Sequence, residues 1–126
     1  MALKNILLVD DDLPSRRLAD ITLQDGGVPC VIINAKDGKE AIEMLESSDE
    51  FPDVILLDIN MPVMDGFRFL AEYQNLARVD SNTKIYMLTT STLEKDYSRA
   101  FATGLVKDYF EKPLNERHIE QIFSDL

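Results

Sequence analysis

Five short apolar runs alternate with five stretches of helical period along this chain. The runs read as strands over Asn5 to Asp10, Cys30 to Ala35, Asp53 to Asp58, Lys84 to Thr89 and Val106 to Glu111. The first, third and fourth are apolar almost throughout, as strands covered on both faces must be. Between the runs, apolar residues recur at a spacing of about 3.6. The first helix is predicted from Asp12 or Leu13 up to Gly26-Gly27, with Pro14 in its first turn, where a missing N–H costs nothing. The second is predicted from about Gly38 to Ser47. The third, about Gly66 to Ala77, buries Phe69, Leu70, Tyr73, Leu76 and Ala77. The fourth carries Leu93, Tyr97, Ala100 and Phe101 and stops at Gly104; the last carries Ile119, Ile122, Phe123 and Leu126. Val79 to Thr83 reads as a polar loop. Strict alternation of strand and helix implies right-handed crossovers. The fold class expected is therefore α/β, a doubly wound five-stranded parallel sheet with helices on both faces.

A chain of 126 residues suits one compact domain with one core, so residues 1–126 are expected to form a single domain. The formal net charge of −10 argues against nucleic acid, which needs clustered Lys and Arg, and against an anionic membrane surface. The single cysteine, Cys30, can form no internal disulfide and is expected to be a small buried hydrophobe in its apolar run. The N-terminus has no signal-peptide layout and no apolar stretch reaches membrane-spanning length, so a cytoplasmic location is expected.

Charge matters most where it meets the apolar strands. In an open parallel sheet, ligands bind outside the carboxyl ends of the strands, where the strand order reverses. The first strand delivers Asp10 and Asp11 there, the third Asp58, the fourth Thr89 followed by Thr90 and Ser91, and the fifth is followed by Lys112. A carboxylate at the end of an apolar strand is costly unless something uses it. Three acids packed together repel and raise one another's pKa, a conflict that a divalent cation removes. Oxygen-only ligands select magnesium, calcium or manganese over zinc, and an open site at a sheet edge suits magnesium. A magnesium site beside a lysine and a threonine suits a phosphoryl group, whose oxygens those groups would neutralise and hydrogen-bond. No Ser, Cys or His stands at the centre, but a carboxylate can attack phosphorus to give an acyl phosphate. Asp58 ends its strand alone and is the preferred nucleophile. Asp10 and Asp11, being adjacent, suit metal holding.

These residues resemble the receiver domain of bacterial two-component response regulators, and the chain looks like a stand-alone member. The carriers are Leu7-Leu8-Val9-Asp10-Asp11-Asp12, Ala35-Lys36-Asp37-Gly38-Lys39-Glu40-Ala41, Leu57-Asp58-Ile59-Asn60-Met61-Pro62-Val63-Met64-Asp65-Gly66, Leu88-Thr89 and Lys112-Pro113. The resemblance implies a flavodoxin-like strand order 2-1-3-4-5, with Asp58 as phosphoacceptor. Asp11, Asp58 and the Asn60 main-chain carbonyl would ligate magnesium, with Asp10 acting mainly through a metal-bound water. Thr89 would hydrogen-bond the phosphoryl group, Lys112 would pair with it, and Tyr109 would change rotamer with Thr89 on activation. The Lys112–Pro113 bond would be cis. The resemblance further implies a histidine kinase or histidine phosphotransfer protein as donor, and helix four, strand five and helix five as the face used either for a downstream protein target or for a phosphorylation-dependent dimer. Two departures stand out: the interval from Gly104 to Tyr109 is one residue longer than in the best-known chemotaxis-type member, and the stretch Glu46 to Pro52 before the third strand is long.

Other readings attach to the same residues. Asp12 serves equally as a helix N-cap, and Asp65 as a helix start. Tyr109 and the methionines also suit plain packing, and Thr90 competes with Thr89 as the phosphoryl-contacting hydroxyl. His118 is expected to be exposed. A magnesium-dependent hydrolase would need a second acid two residues after the nucleophile, and that place holds Asn60. Only self-phosphorylation and slow self-hydrolysis are therefore expected, without turnover of external substrates, and Asn60 and Ser91 occupy family positions linked to phosphoryl lifetime. A phosphorylation-independent binding module would have lost one of the key acids or the lysine. A nucleotide-binding flavodoxin-like protein would carry a Gly-rich loop after the first strand.

Overall fold

The computed structural model describes residues 3–76 and 82–126. Its elements alternate as β1 (Lys4–Val9), α1 (Leu13–Gln24), β2 (Cys30–Ala35), α2 (Gly38–Ser47), β3 (Val54–Leu57), α3 (Gly66–Tyr73), β4 (Lys84–Thr89), α4 (Glu94–Ala102), β5 (Val106–Glu111) and α5 (Glu116–Ser124). The strands form one parallel sheet in the order β2-β1-β3-β4-β5. The α/β doubly wound architecture follows from the strand composition. Successive residues of a strand face opposite sides, so an all-apolar strand needs cover on both. Ile6 and Leu8 of β1 pack with Ala19 and Leu23 of α1 and Ile119 and Ile122 of α5. Leu7 and Val9 belong to the other layer, with Ala41 and Leu45 of α2, Phe69 and Leu70 of α3, and Ala100 of α4.

The chain leaves β1 for β2 on one side and returns to β3 on the other, so the order reverses between β1 and β3. The crevice at their carboxyl ends is the natural ligand position of such a sheet. Asp10 and Asp58 lie one residue beyond the strands, yet their amides stay on the ladder. Asp10 N–H donates to the Ala35 carbonyl at 3.0 Å and Asp58 N–H to the Val9 carbonyl at 2.9 Å. The sheet therefore fixes both acids.

Helix starts are set by short polar side chains. Asp12, Asp37, Asp65 and Asn115 cap α1, α2, α3 and α5, accepting from the amides of Ser15, Glu40, Arg68 and His118. Gly66 opens α3 against the strand end. Its amide donates to the Ile59 carbonyl at 2.8 Å, and a Cβ there would run into the Asp58 carbonyl. Among the described residues, no helix is long and apolar enough to cross a membrane.

Several local expectations need correction. Helix α3 ends at Tyr73, because its bonding then tightens to Asn75 N–H on the Glu72 carbonyl and Leu76 N–H on the Tyr73 carbonyl. Ala77, expected in that helix, and Val79 to Ser81 of the expected polar loop lie outside the described residues. Cys30 is half-buried, since β2 is an edge strand with one neighbour. Along α4 only Ala100 is buried; Leu93 and Tyr97 are about half exposed. Leu126 falls beyond α5 and is also exposed.

Candidate functional site

Carboxylate oxygens of Asp10, Asp11 and Asp58 lie within 4.8 Å of one another. Asp10 and Asp58 are buried, whereas Asp11 is exposed at the rim. Lys112 reaches in from the end of β5. Its Nζ lies 2.6 Å from Asp10 Oδ2 and 3.2 Å from Asp58 Oδ2, so one ammonium bridges both buried acids. The other oxygens are also engaged: Asp12 N–H donates to Asp10 Oδ1 at 3.0 Å, and Ile59 N–H to Asp58 Oδ1 at 2.8 Å. The Lys112 backbone is anchored by its amide on the Thr89 carbonyl at 2.8 Å, and the Lys112–Pro113 bond is cis.

This geometry splits the two buried acids electrostatically. Burial pushes the Asp10 carboxyl up. The bond from Lys112, with those from the Asp12 amide and the Ser15 hydroxyl, outweighs it and holds Asp10 below the ordinary Asp value. For Asp58 burial wins. Lys112 opposes it from farther away and the Asp10 charge adds to it, so Asp58 lies above the ordinary value. Burial lowers Lys112, but the two carboxylates overcome that and raise it, keeping the ammonium charged. Lys112 bridges two of the three acids and leaves Asp11 without it, so carboxylates outnumber the ammonium, and the donor set is oxygen alone. Both features suit a hard divalent cation of the magnesium or calcium kind.

The remaining residues expected at the site have separate places. Thr89 ends β4, fully buried, and its Oγ1 accepts from Ser91 N–H at 3.3 Å, whereas Thr90 is exposed. Asn60 is exposed on the β3–α3 loop. Tyr109 is half-buried; its hydroxyl donates to the Ser91 carbonyl at 2.9 Å, and its ring lies 5.4 Å from that of Tyr97. Asp12 caps α1, its Oδ2 3.1 Å from Ser15 N. His118 is half-buried rather than exposed, because its ring stacks on Phe110 at 4.2 Å and closes the capping box of α5.

Sequence reasoning missed three contributors. Arg16 donates from Nη1 to the Asp10 carbonyl at 2.6 Å and, with Asp10 and Asp58, lines a small cavity behind the acids. Its position one turn into α1 is the only signal the sequence offers. Ser15, in the first turn of α1, helps to lower the Asp10 carboxyl. Asp96, in the first turn of α4, accepts from Ser91 Oγ at 2.6 Å.

The doubly wound sheet thus brings three acids and a lysine together beyond its strand ends, with a buried threonine ending β4. Residues 6–124 match the family model described as "Response regulator receiver domain", and the chain belongs to that family of phosphoacceptor signalling switches. The chain is 34% identical to the "Uncharacterized 14.6 kDa protein in sodA1 3'region" of Leptolyngbya boryana, over 91% of this chain and 83% of that one. It is 29% identical to the "Sensor histidine kinase CheAY" of Helicobacter pylori, over 93% of this chain but only 14% of that protein's length. Among solved structures it resembles the chemotaxis protein CheY4 of Vibrio cholerae, with TM-score 0.79, 32% identity and 98% of each chain covered.

Proposed function

We propose that Asp58 accepts a phosphoryl group from a phosphohistidine and that the resulting acyl phosphate sets the conformation of the β4–α4 loop. The observation that carries this reading is the Lys112 ammonium shared between Asp10 and Asp58, with Asp11 within reach of both acids. In the transfer, an Asp58 oxygen forms a bond to phosphorus while the P–N bond of the phosphohistidine breaks. The bonding pair leaves on the imidazole nitrogen. Asp58 suits the nucleophile because Lys112 holds its Oδ2 less tightly, at 3.2 Å, than it holds Asp10 Oδ2, at 2.6 Å.

Asp11, Asp58 and the Asn60 main-chain carbonyl would hold Mg2+, with Asp10 acting through a bound water. When bound, the metal supplies charge neutralisation at the phosphoryl oxygens. Lys112 would pair with the new negative charge, and the Thr89 hydroxyl, already accepting from Ser91 N–H, keeps its own proton to donate. Tyr109 follows, because the carbonyl it holds belongs to the loop that starts at Thr89. Only the difference in interaction between the two loop states shifts their populations.

The donor in this reading is a histidine kinase or a histidine phosphotransfer protein. The output is a downstream protein, recognised through α4, β5 and α5, or a phosphorylation-dependent dimer through the same face. External substrate turnover is not part of the proposal, because Asn60 cannot serve as general acid or base. Cytoplasmic residence is part of it, since the phosphoryl donors are cytoplasmic.

The test is intact-protein mass spectrometry after incubation with acetyl phosphate and Mg2+. One phosphoryl adduct is expected on the wild type, none on Asp58→Asn, and none without the metal. Failure of the wild type to take either that adduct or a beryllofluoride complex would replace the switch with a constitutive binding module.

A further inference from the structure

Between β4 and α4 the chain runs Thr89-Thr90-Ser91-Thr92-Leu93. Helix α4 starts without a side-chain cap, because its N-cap residue is Leu93. The first amides of a helix need acceptors from somewhere. Ser91 supplies one from outside the helix: its Oγ accepts from Leu93 N–H at 3.3 Å. The same hydroxyl donates to Asp96 Oδ2 at 2.6 Å. Ser91 N–H donates to Thr89 Oγ1 at 3.3 Å, and the Ser91 carbonyl accepts the Tyr109 hydroxyl at 2.9 Å. One residue thus ties together the threonine expected at the phosphoryl group, the switch tyrosine and the first turn of α4.

These contacts differ in strength. The Ser91–Asp96 bond has an ionised acceptor and is short, whereas the bonds to Thr89 and Leu93 are neutral and long. Asp96 is half-buried and lies in the first turn of α4, where the amides and the helix dipole favour a carboxylate. Glu94 shares that first turn and is exposed, and the serine hydroxyl turns to Asp96.

We infer that Asp96 is a positioning residue for phosphoryl acceptance: by anchoring Ser91 to α4 it holds the Ser91 carbonyl where Tyr109 binds it and the Ser91 amide where it orients the Thr89 hydroxyl. The inference rests on the phosphoacceptor reading above. The loop and the first turn of α4 then move as one piece. Without Asp96, Ser91 keeps only the long neutral bonds to Leu93 and Thr89, and the carbonyl that accepts the Tyr109 hydroxyl is held less firmly. The phosphorylated state then has to order this loop at its own expense.

The experiment titrates the full chain with beryllofluoride at saturating Mg2+, following the Tyr109 ring signals by NMR. Asp96→Ala is expected to weaken beryllofluoride binding by about tenfold, the scale of one charge-assisted hydrogen bond, and to shift the Tyr109 signals before any ligand is added. Asp96→Asn, which keeps an acceptor for Ser91 Oγ, should recover part of the affinity. Glu94→Gln removes a first-turn charge without touching Ser91 and should match the wild type. Affinity for Mg2+ alone should not change in Asp96→Ala, because none of the acids at the sheet edge is altered. Should Asp96→Ala fold poorly, Ser91→Ala removes the other end of the bond and should give the same weakening. The inference is overturned if Asp96→Ala, or Ser91→Ala in its place, binds beryllofluoride as the wild type does. It is equally overturned if Glu94→Gln reproduces the full loss, since helix charge alone would then explain it. A wild type that takes no beryllofluoride would remove the phosphoacceptor reading itself, and this inference with it.

Discussion

Val63 is the residue whose backbone pays most for the shape of the acidic pocket. It sits in the β3–α3 loop with φ of 70°, a left-handed conformation that a β-branched side chain resists. The loop has little choice around it. Gly66 must close on the Ile59 carbonyl, and the Gly38 amide must reach the Met64 carbonyl at 3.1 Å. Val63 is 71% exposed, so its side chain returns little burial for that strain. Val63→Asn, which suits the left-handed region, is expected to stabilise the fold by about 1 kcal/mol, measured by urea unfolding. An unchanged or lower midpoint would mean that the loop carries no such strain. The acids illustrate the same scale. Asp10 and Asp58 share one ammonium, yet burial outweighs it at Asp58, where Lys112 stands at 3.2 Å, and not at Asp10, where it stands at 2.6 Å beside extra donors, so their proton affinities move in opposite directions.

At the scale of elements, α5 begins on a histidine. Asn115 Oδ1 accepts from His118 N–H at 3.0 Å, and His118 Nδ1 accepts from Asn115 N–H at 3.2 Å, which requires an unprotonated Nδ1. Burial against Phe110 and the Arg117 charge lower the His118 pKa from 6.5, with Asp108 opposing. The sign follows from linkage. Above an unfolded-state value of about 6.5 both states are neutral and the capping box contributes fully. As pH falls through that value the unfolded chain takes the proton first, so stability declines until the folded pKa is passed. His118→Gln keeps a capping acceptor without a titrating group. Its stability is expected to be flatter than the wild type's as pH falls below about 6.5, read from urea midpoints at successive pH values. Parallel profiles would assign the acid sensitivity to other groups. Helix α4 behaves differently: lacking a cap of its own, it borrows Ser91 and is thereby tied to the site.

For the whole molecule, the formal charge of −10 and the acid cluster favour the approach of cations. A ligand bound only by the native state stabilises it by mass action. Magnesium at a hundredfold excess over its dissociation constant should add about 2.7 kcal/mol. The melting temperature is therefore expected to rise with Mg2+, and the rise should shrink markedly in Asp11→Asn while the metal-free melt changes little, since Asp11 is exposed at the rim. An equal rise in that variant would point to screening of the general negative charge instead. Thr89 ends β4, Lys112 follows β5, and the two share a backbone hydrogen bond, which joins the acid cluster to both strands.

The chain's pattern alone determined the alternation of strand and helix, the sidedness of the sheet and the delivery of Asp10, Asp11, Asp58, Thr89 and Lys112 to one edge. Burial on both faces leaves a periodic signature, and acids after apolar runs are visible as such. The strand order 2-1-3-4-5 was legible only through the family motif, since periodicity does not say which strands pair. What tertiary structure decided is everything that depends on distance across the chain. Arg16 reaches the Asp10 carbonyl because α1 packs back over β1. His118 is half-buried because β5 brings Phe110 beneath it. Tyr109 and Asp96 meet at Ser91 because β5 and α4 flank the loop after β4. A residue's period records which face it occupies; its partners follow from how faces are stacked, and only packing fixes that.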